Sequence, residues 1–273
     1  MKTIKYRSTG PDVRFLEEIL EKMGYPVKVS DYFGRDTDTA VRDFQQKHNL
    51  VVDGIVGIKT WSKLLEAEKE VLQHNDKLLA EQDLVDFAQH YNLELAAVKA
   101  VNEVESSGKG FLVDGRPRIL FEGHVFWKEL TKRGVDPQQF LSSRTANVLY
   151  KNWTKKYYAG GAGEYHRLEK AAGMSDLQEV HDAAYSAASW GAFQVMGYHA
   201  KILGYMSVDH FVAKQYEHER EHLKAFGRYL EVNHLIPHIK SKDWKAFAKG
   251  YNGPGYKENH YDEKLQKAYD RYS

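Results

Sequence analysis

Apolar residues in the first quarter of the chain recur at helical spacing. In DVRFLEEILEKMGY (12–25), Val13, Leu16, Ile19 and Leu20 share one face. In TDTAVRDFQQKHNL (37–50), Ala40, Val41, Phe44 and Leu50 do the same. A Gly-x-x-Thr step (Gly34 to Thr37, Gly57 to Thr60) leads into a helix twice, with the threonine expected at the N-cap. The recurrence predicts a small three-helix module over residues 1–65. Residues 66–81, EAEKEVLQHNDKLLAE, are charge-rich and lack Gly and Pro, which predicts a linking helix. From 82 to 273 helical periodicity dominates, with Asp83 and Asn92 as candidate caps and SVDHFVAKQYEHEREHLKAFGRYLEV and KDWKAFAKGY as later helices. Only GRPRILFEGHVF (115–126) has the pattern of extended chain, placing Glu122 and His124 on a short strand. The expected fold class is mainly α: a three-helix module, then a larger helical domain with a short β element.

One helix carries a candidate for chemistry. Leu93, Ala96, Ala97, Ala100, Val101 and Val104 form a continuous apolar stripe, and at about 100° per residue Glu105 falls on its edge beside Val98 and Val101. Asn102 and Lys99 face away, and Gly108 and Gly110 are placed to stop the helix. Glu105 is therefore partly desolvated at the negative end of a helix dipole, and both effects favour its protonated form. A carboxylic acid that keeps its proton near neutral pH suits general-acid cleavage of a glycosidic bond. An exposed glutamate that merely flanks the core is the plainer alternative.

Composition narrows the field. The 39 basic residues balance 38 acidic ones, which gives no case for nucleic acid. With no cysteine, a disulfide, a thiol nucleophile and a thiolate metal site are excluded. The 18 tyrosines and 5 tryptophans fit a surface that stacks on sugar faces, although most aromatic residues serve a core. No apolar run is long enough to span a membrane, and MKTIKYRSTGPDVRFLEEIL lacks the apolar core of a signal peptide. Synthesis in the cytoplasm without membrane insertion is expected.

Three further motifs stand out. SWGAFQVMGYHAKILGY (189–205) is a glycine-rich turn expected to enter a helix, with Gln194 able to hydrogen-bond a sugar and Ser189 a further groove candidate. AFAKGYNGPGY (246–256) predicts a helix end presenting the Tyr251 hydroxyl and the Asn252 amide. RILFEGHVFW (118–127) supplies Glu122 and His124.

In that order the motifs resemble the lysozyme-like fold of goose-type lysozymes and lytic transglycosylases. More closely, they resemble the N-acetylmuramidases of modular phage endolysins. AVRDFQQKHNLVVDGIVGIKTWSKLL (40–65) is similar to the peptidoglycan-binding modules of cell-wall hydrolases. The resemblance implies Glu105 as catalytic acid, Gln194, Tyr251 and Asn252 along a sugar groove, and bacterial peptidoglycan as partner. A monomer needing no cofactor is expected, and the missing signal peptide implies an enzyme made in the host cytoplasm and released to the wall through holes made by another protein. Gly250 stands where transglycosylases usually have alanine, and Phe193 replaces a methionine.

A hydrolase needs a base or a nucleophile besides its acid, whereas a transglycosylase needs neither. Glu122, set among apolar residues, is the favoured second carboxylate, with a structural role for it in holding Arg116 or Arg118 as the alternative. Asp114 is the other candidate, although an Asp-Gly turn accounts for it. Hydrolysis between N-acetylmuramic acid and N-acetylglucosamine is the leading expectation, ahead of a transglycosylase giving 1,6-anhydro ends. A remoter rival is a zinc wall peptidase using HEREH (218–222), which matches H-E-x-x-H. Both histidines, however, fall beside the apolar stripe of their helix in a run of charged residues. That predicts a solvated face and no metal.

Overall fold

The computed structural model describes residues 2–73, 77–106, 110–112 and 114–273; for residues 68–73 and 254 the description is of the backbone alone. The chain divides into two compact units, Met1–Asp76 and Lys77–Ser273.

The first unit contains helices α1 (Pro11–Lys22), α2 (Arg35–Lys47) and α3 (Ile58–Gln73). The stripes predicted for α1 and α2 meet in one core of Val13, Leu16, Ile19, Leu20, Phe33, Val41, Phe44, Val56, Trp61 and Leu64. The two threonines do not cap. Gly34 holds the N-cap position of α2, and Thr37 lies one turn inside, donating to Glu17 Oε1 at 2.6 Å. Glu17 is buried, and its other oxygen accepts from the amide and hydroxyl of Ser30. A buried carboxylate must have its lone pairs met, and the threonine is there for that. Thr60 instead joins a clamp around Gln45. The Gln45 amide donates to Thr60 Oγ1 and to the Ile55 carbonyl, while its oxygen accepts from Gly54 N at 2.9 Å. The FQ and DG motifs are thus one hydrogen-bonded turn, with Gly54 at φ 73°.

Of the linking helix expected over 66–81, residues 74–76 lie outside the described residues, and the remainder forms no separate element. Residues 66–73 are the end of α3, and 77–80 are non-helical.

The second unit begins with α4 (Glu81–Tyr91) and α5 (Leu95–Ser106), followed by β1 (Ile119–Phe121) and α6 (Gly123–Lys132). Next come α7 (Gly163–Ala172), α8 (Gln178–Ser186), β2 (Ala188–Trp190) and β3 (Val195–Met196). The helices α9 (Val208–Glu217), α10 (Glu219–Val232), α11 (Ile236–Lys240), α12 (Trp244–Asn252) and α13 (Tyr261–Tyr272) complete it. Phe121, Phe126, Trp190, Phe211, Phe226 and Phe247 are fully buried in its core. Asp83 is the third residue of α4 rather than its cap, accepting from Ala80 N at 2.9 Å. Asn92 closes α4 in a left-handed conformation, φ 51°, instead of opening α5.

The β element is larger than expected. Three antiparallel strands run in the order β1-β2-β3, with Ile119 opposite Trp190, Phe121 opposite Ala188, and Ser189 opposite Met196. SWGAFQV is therefore a hairpin rather than a turn into a helix. Conversely, β1 stops at Phe121, so Glu122 and His124 are not on the strand: Glu122 is the N-cap residue of α6 and His124 lies in its first turn. The chain turns here because a buried pair, Glu164 and Arg167 on α7, takes the peptide groups of Phe121. Phe121 N donates to Glu164 Oε2 at 3.1 Å, and Arg167 Nη1 donates to the Phe121 carbonyl at 2.8 Å.

Candidate active site

Glu105 is the penultimate residue of α5, and its helix buries Ala97, Val98, Ala100 and Val101. Asn102 does not face away; it borders a small internal cavity with Val98, Val101 and Phe193. Ser107, Gly108 and Lys109, in the predicted break, lie outside the described residues. Gly110 follows, its amide held by Glu219 Oε1 at 2.9 Å.

The Glu105 carboxyl opens into a cleft of about 450 Å³. The β2–β3 turn forms one wall through Phe193 and Gln194, continued by Val195 and Met196. Tyr251 and Asn252, at the end of α12, form another. Burial pushes the Glu105 carboxyl up to about 7, opposed by a hydrogen bond from Asn252 and by the charge of Lys264. Asn252 Nδ2 donates to Glu105 Oε1 at 3.1 Å. The structure thus brings Glu105 and Asn252 together as a hydrogen-bonded pair, and it makes Glu105 an acid poised near neutrality.

Gln194 and Tyr251 line the cleft, but their polar groups are engaged elsewhere. The Gln194 amide donates to the Gly191 carbonyl at 2.8 Å, and its oxygen accepts from Ser189 Oγ at 2.8 Å. Gln194 takes φ 51° and Gly191 φ 74°, and this side-chain bracing holds the tight turn. Ser189 is buried within β2 and reaches the site only through Gln194. The Tyr251 hydroxyl donates to the Phe193 carbonyl at 2.9 Å, tying α12 to the turn. Burial first, and the nearby Glu105 next, raise the Tyr251 hydroxyl well above its ordinary value, so it stays a donor. Gly250 has a reason of its own: a Cβ there would lie 2.4 Å from Leu235 Cδ2, a buried side chain. Phe193 stacks on Phe226 with centroids 4.2 Å apart, a packing role for the residue before the glutamine.

Glu122 does not reach this cleft. It lies past the end of β1, with β2 between it and the cleft strand β3, and strands are spaced about 4.8 Å apart. Its Oε1 accepts from the Tyr158 hydroxyl at 2.7 Å, and its Oε2 lies 3.4 Å from His124 Nδ1. Neither Arg116 nor Arg118 pairs with it: Arg116 bonds Asp114 Oδ2 through Nε at 2.7 Å, and Asp114 does not line the cleft either. Glu105 is the one carboxylate among the described residues lining it.

The HEREH segment is not a solvated helical face. His218 adopts extended backbone between α9 and α10, and its Nδ1 caps α10 by accepting from Arg220 N at 2.9 Å. His222 is buried, with Nε2 on the Gln215 carbonyl at 2.7 Å and Nδ1 accepting from Ala192 N at 3.2 Å. Both ring nitrogens are occupied, and desolvation lowers the imidazole to about 4, so it remains neutral. Glu219 holds Gly110 N and Leu79 N. His218 thus caps a helix, Glu219 holds two chain segments and His222 braces the β2–β3 turn; a cation would have to displace every one of those bonds. Among the described residues, the one group of ligands close enough for a metal is His181, Asp182 and Asp209, none of which lines the cleft.

Sequence reasoning missed Tyr198, His199, Tyr229 and Tyr261, which complete the cleft with aromatic surface. They come from three places in the chain: Tyr198 and His199 follow the glycine-rich hairpin, while Tyr229 and Tyr261 stand in no motif. The first unit carries its own open groove of about 1050 Å³, bordered by Tyr25, Asp43, Phe44, Lys47 and His48.

A cleft with a half-buried carboxyl at a helix end, the one carboxyl among the described residues lining it, now has a family to set it in. Residues 94–273 match the family model described as N-acetylmuramidase. The chain belongs to the N-acetylmuramidase family. This muramidase also matches a putative peptidoglycan binding domain over residues 9–64. The crystal structure of the Burkholderia AP3 phage endolysin is similar over 99% of both chains, at 40% identity and a TM-score of 0.67. The carboxy-terminal processing protease CtpA of Bacillus subtilis is 35% identical over 75 residues, and a spore cortex-lytic enzyme of Bacillus cereus is 41% identical over 69. The muramidase spans only 16% and 27% of the length of those two relatives.

Proposed function

We propose that this muramidase is an endolysin that hydrolyses the bond between N-acetylmuramic acid and N-acetylglucosamine in bacterial peptidoglycan. The observation that supports this best is Glu105, whose carboxyl is raised to about 7 by burial inside an aromatic-lined cleft. Glu105 donates its proton to the glycosidic oxygen as the bond to the anomeric carbon breaks. Positive charge develops on that sugar, and the new carboxylate lies beside it, accepting from Asn252 Nδ2. A water then adds to the anomeric carbon and returns a proton to Glu105, which regenerates the acid. Gln194, Ser189 and Tyr251 act as positioning residues that fix the β2–β3 turn, and Glu122 takes no part in the chemistry. The three-helix unit binds the wall, with the Tyr25–Phe44–Lys47 groove as its contact. Among the described residues, no helix is long and apolar enough to cross a membrane. The enzyme is made in the host cytoplasm and reaches the wall through holes made by another protein.

A second reading draws on the cleft having a single carboxylate among its described residues. Glu105 would serve as acid and then base while the sugar's own 6-hydroxyl attacks, leaving a 1,6-anhydro end. Mass spectrometry of digested peptidoglycan separates the two. Reducing muramic ends are expected; anhydro ends would establish the second reading, and freed peptides would overturn both.

A further inference from the structure

The catalytic cleft has a neighbour at Tyr261. On the other side of that ring a second depression of about 380 Å³ is lined by Glu103, Val104, Tyr261, Lys264, Lys267 and Arg271. Tyr261 borders both, so the two depressions adjoin at its ring, the second one lying along α13. At helical spacing, Tyr261, Lys264, Lys267 and Arg271 fall on one face of that helix.

The charges on this face are not equivalent. Arg271 is paired with Glu103, whose other oxygen accepts from the Tyr272 hydroxyl at 2.7 Å. Lys264 and Lys267 are exposed, and their ammonium groups make no ion pair or hydrogen bond among the described residues. Lys264 Nζ instead lies 5.4 Å from the centroid of the Tyr261 ring, and it is near enough to Glu105 for its charge to act there. Two unpaired ammonium groups therefore stand where the glycan cleft opens to solvent. The sugar backbone of peptidoglycan is uncharged and has no use for them. The peptide hanging from the lactyl ether of each muramic acid bears carboxylates, and it must project out of any cleft that grips the glycan.

We propose that Lys264 and Lys267 form a subsite for the carboxylates of the stem peptide, so that the enzyme prefers peptide-bearing glycan over the sugar chain alone. This rests on the peptidoglycan-cleaving reading above and sets which strands are cut well. Exposed ion pairs of this kind change affinity by up to about fivefold each.

The test uses the full chain and soluble glycan strands freed of wall phosphate polymers, which excludes phosphate as the anion. One portion keeps its peptide carboxylates; in the other, amines are acetylated and carboxylates capped as methylamides. The wild-type enzyme should show a KM several-fold lower on the charged strands, with the gap closing as salt is raised. The Lys264→Gln/Lys267→Gln double variant should lose that gap. Lys267→Gln alone, farther along the helix from Glu105, should lose part of it with kcat unmoved. A double variant that discriminates as well as the wild type overturns the subsite. A wild-type enzyme that cuts neither strand overturns the proposed function instead.

Discussion

Glu105→Gln tests the electrostatics of the site through stability as well as activity. In the folded protein the Glu105 carboxyl is raised from 4.5 to about 7, chiefly by burial. Below pH 4.5 both folded and unfolded chains hold the proton, so nothing is lost. As pH rises further the unfolded chain ionises while the folded one does not, and stability falls until about pH 7, where the folded carboxyl also ionises. A rise of about 2.5 units corresponds to about 3 kcal/mol at the upper end. Glutamine keeps the acceptor for Asn252 Nδ2 but cannot ionise, so it escapes this penalty. The variant should match the wild type at pH 4 and exceed it by about 3 kcal/mol at pH 8. For a unit of this size that is about 6–12 °C in Tm. Paired thermal melts at the two pH values, with peptidoglycan clearing measured in parallel, read both consequences. Clearing should disappear while stability at high pH rises. Melting curves that differ by the same amount at both pH values would refute the burial argument, and clearing that survives would refute the catalytic assignment.

Other outcomes follow from the same geometry. In the wild type, cleavage should fall as pH rises through about 7, because the proton that Glu105 donates is lost there. Asn252→Ala removes the bond that favours the carboxylate, so a pH–rate profile should show this alkaline limb displaced upward by about one unit with a lower maximum; an unmoved limb would contradict that role. Glu122→Gln should keep clearing within about tenfold of wild type, whereas a loss near a thousandfold would return Glu122 to the chemistry. A chelator should leave clearing intact. His222→Ala should cost at least about 2 kcal/mol in urea unfolding, since Ala192 N and the Gln215 carbonyl lose their partners. The wild-type His222, lowered to about 4, also predicts loss of stability as pH falls from 6.5, where the unfolded imidazole gains a proton that the folded one resists.

Local pattern determined much of this protein. The stripes of α1 and α2 point where the periodicity places them, and the edge position of Glu105 on α5 follows from its neighbours alone. The helix end at Tyr251 and Asn252 is likewise written in its residues. What local pattern could not give is which partner each polar group finds. Glu122 looks catalytic from its apolar neighbours, yet its carboxylate faces Tyr158, 36 residues away. HEREH looks like a surface or a zinc site, but His222 is buried because the β2–β3 turn needs an acceptor for Ala192 N. Gln194 and Tyr251 carry groups suited to a sugar, and the fold uses them to hold the turn on which Phe193 sits. Periodicity fixes which face of an element is dry. The destination of a hydrogen bond depends on elements far apart in sequence, and only their packing decided that Glu105 would meet Asn252 in a cleft without a second carboxylate among its described residues.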